Sequence, residues 1–115
     1  MIKRKYEIPK GSLEEVTKKR LKEYFNDNNI WYKMVQPSHI GSSIGMSDFQ
    51  CLHNGLFIAI EAKRNLPSSK PTPHQIEYLK MVNDNGGFGM IVKCTEDIFK
   101  LDEELRKLGV VEWNT

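Results

Sequence analysis

The chain has few of the features that assign a function at once. It contains only two cysteines, and neither belongs to a CxxC or CxxH pair, so a structural zinc site is not expected. No apolar run approaches the ~20 residues that cross a bilayer. The basic start MIKRKYEIPKG lacks the apolar stretch of a signal peptide. The three histidines are scattered, without H-x-H or HNH spacing. These absences predict an intracellular, cytoplasmic protein with no membrane partner.

The chain also has almost no excess of positive over negative charge, because the net charge is only +2. The total therefore does not indicate a nucleic-acid partner. Basic residues are nevertheless clustered at 3–5 (KRK) and 18–20 (KKR), and Lys63, Arg64 and Lys70 follow one another closely. Such clusters are either solvated faces or surfaces that bind phosphate. With 115 residues, the chain is long enough for one domain with its own hydrophobic core.

The most specific local signal lies in residues 45–63, which read GMSDFQCLHNGLFIAIEAK. Asn54-Gly55 favours a type I′ hairpin turn, because both central residues of that turn need positive φ. A two-residue loop places Asp48 directly opposite Glu61, with Cβ atoms roughly 4.5–5.5 Å apart. Lys63 lies two residues beyond Glu61 and hence on the same face. Two acids and a lysine would converge, which is costly unless a positive group such as a metal ion lies between the acids.

The remaining elements predict an α/β protein in the order α-β-β-β-α-β, followed by a C-terminal helix. A first helix is predicted from Ser12 to about residue 26, with Ser12 and Glu15 as a capping box. A second helix is predicted from Thr72 to about residue 83, with Pro73 at its first position. Strands are predicted over 30–35 and 89–94, and a loop over 36–45. A helix over 95–108, with an interruption allowed near residue 102, and a short edge strand over 110–113 complete the chain.

Periodicity predicts which faces of these elements are buried. The strand over 56–62 is apolar on both faces until Glu61, which is typical of a strand inside a sheet. Glu14 falls on the apolar stripe of the first helix, either at its edge beside a basic partner or among the hairpin acids. Gln75 is expected to point at the sheet. The stripe residues are Leu13, Thr17, Leu21, Tyr24 and Phe25 in the first helix and Ile76, Leu79 and Val82 in the second.

The residue types of the hairpin suit metal-assisted hydrolysis. Mg²⁺ prefers carboxylate oxygens and usually keeps several waters, and Asp48, Glu61 and the backbone carbonyl of Ala62 could supply oxygen ligands. Lys63 could orient or help to deprotonate a water and offset charge that develops on phosphorus. Opposed acids on a hairpin can equally face solvent with no ligand, so the spacing alone leaves both interpretations open.

Residues 45–48 (GMSD) and 60–63 (IEAK) resemble the signature of the PD-(D/E)XK nuclease superfamily. The segment 70–75 (KPTPHQ) resembles the one that follows this signature in the VRR-NUC branch. The likeness extends from the Glu14 helix through 31–33 to 91–92. It implies a single domain over 1–115 with a restriction-endonuclease-like core, a central mixed sheet flanked by helices. Ser47 stands where the superfamily name has proline, at a position that shapes the turn and ligates nothing.

The resemblance implies a Mg²⁺-dependent endodeoxyribonuclease in which Mn²⁺ can substitute. Asp48, Glu61 and the Ala62 carbonyl would bind the metal and Lys63 would act on the water. Gln75 would pack beside Lys63, and Glu14 would be the helix-borne acid and a further candidate ligand. Small stand-alone members of the branch resemble Holliday-junction resolvases and are expected to act as homodimers on branched DNA. The alternatives are a DNA-binding architectural or regulatory module with an impaired site, and a nicking or restriction-type nuclease on duplex DNA.

Overall fold

A computed structural model describes residues 5–35 and 46–112. The predicted loop 36–45 and the predicted strand's last residue, Trp113, lie outside these residues. The elements run α-β-β-β-α-β-α, which confirms the predicted order. They are α1 (Glu14–Asp27), β1 (Trp31–Met34), β2 (Phe49–His53), β3 (Leu56–Ala62), α2 (Pro73–Asp84), β4 (Phe88–Val92) and α3 (Thr95–Lys107). The strands form one mixed sheet in the order β1-β2-β3-β4, antiparallel except for the parallel pair β3 and β4.

The Asn54-Gly55 turn sets the register between β2 and β3. Both residues have positive φ, 48° and 85°, as a type I′ turn requires. His53 pairs with Leu56, and the ladder continues in step up to Phe49 opposite Ile60. The two-residue loop is thereby confirmed, and the next step of the same register leads to Asp48 and Glu61.

The sheet lies between helices on both faces, and β3 is an interior strand, as its apolar sequence predicts. The larger core forms where α1 and α3 pack on one face of the sheet. The smaller core forms where Leu79 and Val82 of α2 pack on Ala59 on the other face. Buried residues of the larger core include Leu21, Phe25, Phe49, Cys51, Ile58, Ile60, Val92, Ile98, Leu101 and Leu105. The prediction that Leu13 is buried is wrong, since it precedes α1 and its side chain is exposed. The prediction that Ile76 is buried is also wrong, since its side chain is exposed. Gln75, about 100° away on the helix, takes the place that faces the sheet.

The two predicted helix starts have different outcomes. At α2 the Thr72 side chain accepts a hydrogen bond from the backbone amide of Gln75, and the Gln75 side chain accepts one from the backbone amide of Thr72. At α1 the predicted box is wrong, because the helix begins at Glu14 with no side-chain cap. The Ser12 hydroxyl instead donates to the carbonyl of Pro9 at 2.5 Å. The backbone of Ser12 is also bonded to a distant segment, since its carbonyl accepts a hydrogen bond from the amide of Asn65.

The last helix carries a buried polar cluster rather than an interruption. α3 is continuous through Asp102, whose carboxylate accepts the Tyr24 hydroxyl at 2.7 Å and Arg106 Nε at 2.8 Å. This cluster joins α3 to α1 across the larger core. Residues 110–112 form no strand, although Val110 and Val111 are buried, so the predicted edge strand is wrong over these residues.

Gly87 allows the close approach of α2 to β3. A Cβ at this position would lie 2.8 Å from the carbonyl oxygen of Phe57 and 2.8 Å from Cγ1 of Val82. Since one of these atoms belongs to the backbone of an interior strand, Gly87→Ala is expected to lower the free energy of unfolding by about 1–3 kcal/mol. Urea denaturation measures this change. Gly86→Ala is the comparison, because Gly86 has open space around it and a φ of 87°, so that only backbone strain of about 1 kcal/mol applies. Equal losses in both variants would contradict the steric argument.

Candidate functional site

Asp48 and Glu61 lie side by side at the open end of the hairpin. The backbone amide of Asp48 donates to Oε1 of Glu61 at 3.2 Å. In return, the backbone amide of Ala62 donates to Oδ2 of Asp48 at 2.9 Å. Each carboxylate is therefore fixed by an amide of the opposite strand, one step beyond the last pair of the β2–β3 ladder. The structure brings together the two acids that the turn and register predict to be neighbours.

Lys63 and Gln75 both approach the second oxygen of Glu61. Lys63 Nζ lies 3.6 Å from Oε2 of Glu61, and Gln75 Nε2 donates to the same oxygen at 2.9 Å. Because the Gln75 carbonyl oxygen is engaged in the α2 capping box, its amide is held at both ends. The Glu61 side chain is only 4% exposed and that of Lys63 15%. Lys63 thus lies beside Glu61 as the strand period predicts, and Gln75, which was predicted to point at the sheet, bonds to Glu61.

Burial and repulsion by neighbouring carboxylates raise the pKa values of the Asp48 and Glu61 carboxyl groups. Burial, followed by the charge of Asp48, raises the pKa of Glu61 to about 7, although Lys63 opposes the shift. Burial also raises the pKa of Asp48, against the lowering effects of the Ala62 amide and of Lys18. Without a cation, the site therefore retains a proton to a higher pH than free carboxylates do.

Glu14 occupies the edge of the α1 stripe, half-exposed, and its carboxylate lies 3.0 Å from Lys18 Nζ. This is the first of the two interpretations that the sequence allows for Glu14. Burial alone would lower the pKa of Lys18, but its bond to Glu14 and the charge of Asp48 outweigh burial and raise it. Among residues 5–35 and 46–112, no three His, Cys, Asp or Glu side chains converge as a metal site would require. Glu14 therefore does not join Asp48 and Glu61 in a three-acid cluster, and it holds a lysine near Asp48 instead.

The backbone on both sides of Lys63 is fixed by residues that sequence reasoning did not assign to the site. The Lys63 amide donates to the carbonyl of Val92 at 2.9 Å, and its carbonyl accepts the Thr17 hydroxyl at 2.9 Å. Two residues further, Asn65 exchanges backbone hydrogen bonds with Gly11 and Ser12. A signal for Thr17 exists in the sequence, since a hydroxyl on an apolar helical stripe needs a hydrogen-bond partner when it is buried.

A second set of hydrogen bonds that the sequence did not predict holds the backbone before Asp48 from the α2 side. Gln50 Nε2 donates to the carbonyl of Ser47 at 2.9 Å, while the Tyr78 hydroxyl donates to Gln50 Oε1 at 2.8 Å. Ser47 is buried. Ser47, directly before Asp48, is therefore anchored to α2 through Gln50. No local pattern marks this support, because it depends on where α2 crosses the sheet.

The donor set fits a hard divalent cation. Asp48 and Glu61 are neighbouring carboxylates with raised pKa values, so a positive ion between them would relieve their repulsion. Each Glu61 oxygen accepts one hydrogen bond from the protein and keeps another lone pair. Mg²⁺ is commonly bound by one or two carboxylates together with waters and phosphate oxygens. Two protein carboxylates are therefore sufficient for this ion.

Comparisons with known proteins add no further constraint. Family models, curated proteins and solved structures give no significant match to this chain. Over 5–35 and 46–112, none of the helices has the length and apolar character that crossing a membrane requires. The function is therefore inferred from the site itself.

The raised pKa of Glu61 predicts how the metal-free protein responds to pH. Between the ordinary value of 4.5 and the folded value of about 7, the folded protein binds more protons than the unfolded chain. The free energy of unfolding should therefore fall as the pH rises from 5 to 8, by about 1–3 kcal/mol. Urea denaturation in EDTA at both pH values measures this loss.

Two further measurements, on a Glu61 variant and with Mg²⁺, isolate the cause of that pH dependence. Glu61→Gln cannot titrate at this position and should flatten the dependence between pH 5 and 8. If the acids bind Mg²⁺, the ion should stabilise the wild-type protein more at pH 8 than at pH 5, because it would bind the ionised form of the folded site. A wild-type protein that becomes more stable from pH 5 to 8 in EDTA would contradict the assignment of the shift to Glu61.

Proposed function

We propose that the protein is a metal-dependent endonuclease that hydrolyses phosphodiester bonds in DNA. The observation that carries this proposal is the convergence of Asp48, Glu61 and Lys63, with Gln75 bonded to Glu61. These are the residue types of the PD-(D/E)XK signature. They come from a hairpin and a following helix, in an element order that agrees with the resemblance. Membership of the VRR-NUC branch is part of the same proposal.

The residues divide the work between binding the ion and acting on the substrate. Asp48, Glu61 and the Ala62 carbonyl would hold Mg²⁺, or Mn²⁺ in its place. The bound cation supplies polarisation of the scissile phosphate and a more acidic water. Gln75 and the Asp48 amide each hold one oxygen of Glu61, so the carboxylate is preorganised and loses little side-chain freedom when the ion binds.

Lys63 acts on the reacting groups. Its ammonium is only slightly exposed and 3.6 Å from Glu61, which keeps it in the site without a close hydrogen bond to that acid. It can therefore orient the attacking water and offset negative charge on the phosphoryl oxygens. Its backbone is held on both sides by Thr17 and Val92, which limits how far the ammonium can move.

Branched DNA such as a Holliday junction is the proposed substrate, cleaved by a homodimer. A dimer would present two sites, as symmetric cleavage of two strands requires. Lys18 beside Glu14 and the exposed Arg64 after β3 provide positive charge near the acids. The described residues form one α/β domain with no separate base-reading module, so selectivity would come from DNA shape and phosphate contacts. A cytoplasmic location belongs to the same proposal, supported by the free thiols of Cys51 and Cys94.

Cleavage assays on a panel of substrates test the proposal. The purified protein is incubated with a four-way junction, a flap, a plain duplex and a single strand, each with Mg²⁺, Mn²⁺ or EDTA. Cutting is expected in either metal and none in EDTA. Binding without cutting would favour an architectural or regulatory module instead. Preference for the plain duplex would favour a nicking or restriction-type nuclease and reject the resolvase assignment.

A further inference from the structure

One part of the sheet is left uncovered on the face that carries the acids. α2 packs on Ala59 of β3 and leaves three directly paired side chains of β1, β2 and β3 open to solvent. Trp31 pairs with Leu52, and Leu52 pairs with Phe57. Their exposed fractions are 61%, 49% and 36%. We call these three residues the apolar row. It is a contiguous exposed patch that contains two aromatic rings, and apolar patches of a few hundred Å² on a monomer are often functional.

The apolar row is continuous with the candidate site. Side chains two residues apart on a strand share a face, so the next row along the sheet contains Lys33 opposite Gln50. The row after that contains Asp48 and Glu61. Two steps of ~6.6 Å place the acids roughly 13 Å from the apolar row, with the exposed Lys33 between them. Along one face the order is therefore aromatic surface, cation and acids.

We propose that this face binds unpaired nucleotides of the DNA substrate, with bases stacked on Trp31 and Phe57 and a phosphate at Lys33. The proposal rests on the proposed nuclease function and narrows its substrate class. Aromatic side chains beside a basic residue bind single strands, because every base offers a π-face for stacking. The ~13 Å between the rows corresponds to about two to four nucleotides, since stacked DNA rises 3.4 Å per nucleotide and an extended strand more. A fully paired duplex keeps its bases stacked on one another, so the substrate needs a flap, an overhang or an opened branch point.

A second copy of the chain is the main rival occupant of this face. The apolar row offers on the order of 300 Å² of apolar surface, well below the ~800 Å² that each partner buries in a standard stable interface. The face also continues into Lys33 and the acids. A nucleic acid supplies a phosphate to Lys33 and bases to the two rings, so it complements both the positive charge and the aromatic surface of this face. The charge and the area both favour the nucleic acid.

Binding in EDTA tests the proposal without cleavage. Fluorescence anisotropy compares a labelled oligo-dT, an abasic strand of equal length and a blunt duplex. Trp31→Ala should weaken binding of oligo-dT about tenfold or more, and Trp31→Phe should retain most of it. Lys33→Ala should weaken oligo-dT and the abasic strand alike. Leu108→Ala removes an exposed apolar side chain that follows α3, so it serves as the matched control and should change nothing. Quenching of tryptophan emission by oligo-dT should occur in the wild type and be lost in Trp31→Phe.

The outcomes separate this proposal from the nuclease assignment. The proposal is overturned if Trp31→Ala binds oligo-dT with wild-type affinity, or if the wild type does not bind oligo-dT. It is also overturned if Trp31→Ala weakens binding of the abasic strand or the duplex as much as binding of oligo-dT. A change of Trp31→Ala from dimer to monomer in sedimentation would overturn it too, because the face would then be a contact between copies. In all these cases, metal-dependent cleavage that Asp48→Asn abolishes would leave the nuclease function standing. Trp31-dependent stacking without any metal-dependent cleavage would overturn the nuclease function instead.

Discussion

Asp48→Asn and Lys63→Ala are each expected to reduce metal-dependent cleavage by roughly 10²–10³-fold or more. Asparagine lacks the charge that draws a divalent cation to the Glu61 pair, and alanine lacks the ammonium 3.6 Å from Glu61. Single-turnover cleavage of the best substrate in Mg²⁺ measures both losses. Asp48→Asn should also require more Mg²⁺ for half-maximal rate, whereas Lys63→Ala should lower the rate with less effect on that concentration.

Matched control variants exist on the surface of α2. Lys80 and Asp84 form an exposed ion pair at 2.6 Å, away from the acids, so Asp84→Asn and Lys80→Ala reproduce the same chemical changes elsewhere. Both should cleave at the wild-type rate. Asp48→Asn should be at least as stable as the wild type in EDTA, because it removes a charge that raises the pKa of Glu61. If that stability is measured, a loss of activity in Asp48→Asn does not result from unfolding. Cleavage that survives in both site variants would refute the assignment of the site.

Asp102→Ala is expected to lower the free energy of unfolding by about 3 kcal/mol. Its carboxylate accepts hydrogen bonds from the Tyr24 hydroxyl and from Arg106 Nε, and the Asp102 and Arg106 side chains are buried. Alanine removes the charge that faces the guanidinium and the acceptor of the tyrosine in one step. Thermal unfolding should show a decrease in Tm of about 10 °C.

The neighbouring residue supplies the control for this second experiment. Glu103 is exposed and pairs only loosely with Lys107 at 3.4 Å, so Glu103→Ala should change stability by less than about 0.5 kcal/mol. Asp102→Asn should fall between the two, because it keeps a hydrogen-bonding group and loses the charge. A loss for Asp102→Ala no larger than that for Glu103→Ala would show that the buried cluster contributes little net stability.

The parts of the site that were predictable from the sequence follow local rules. The Asn54-Gly55 turn, the two-residue period of strands and the helix start at Thr72-Pro73 together place Asp48, Glu61 and Gln75. The parts that were not predictable depend on contacts between distant segments. Ser12 looks like a cap in its local sequence, yet it bonds to Asn65.

The same distinction explains the remaining errors. Asp102 looks like a helix breaker within its own segment, yet its partner Tyr24 lies 78 residues away. Ile76 satisfies the helical period, but α2 is rotated about its own axis so that Gln75, and not Ile76, faces the sheet. Local pattern defines candidate faces, and only tertiary packing selects among them.

The Asn54-Gly55 turn has a consequence for how this gene can change over time. Asp48 and Glu61 are 13 residues apart in the chain, and they face each other because the two arms that connect them to the turn are of equal length. Loss or gain of a single codon within one arm would shift the pairing register and transfer the side chains beyond it to the opposite face of the sheet, even where the change lies next to the turn, ~17 Å from the acids. Balanced changes that add or remove one codon on each side of the turn would keep them opposed. Length variation in this hairpin is thus constrained to changes that keep the two arms equal, so that selection acts on spacing as well as on residue identity.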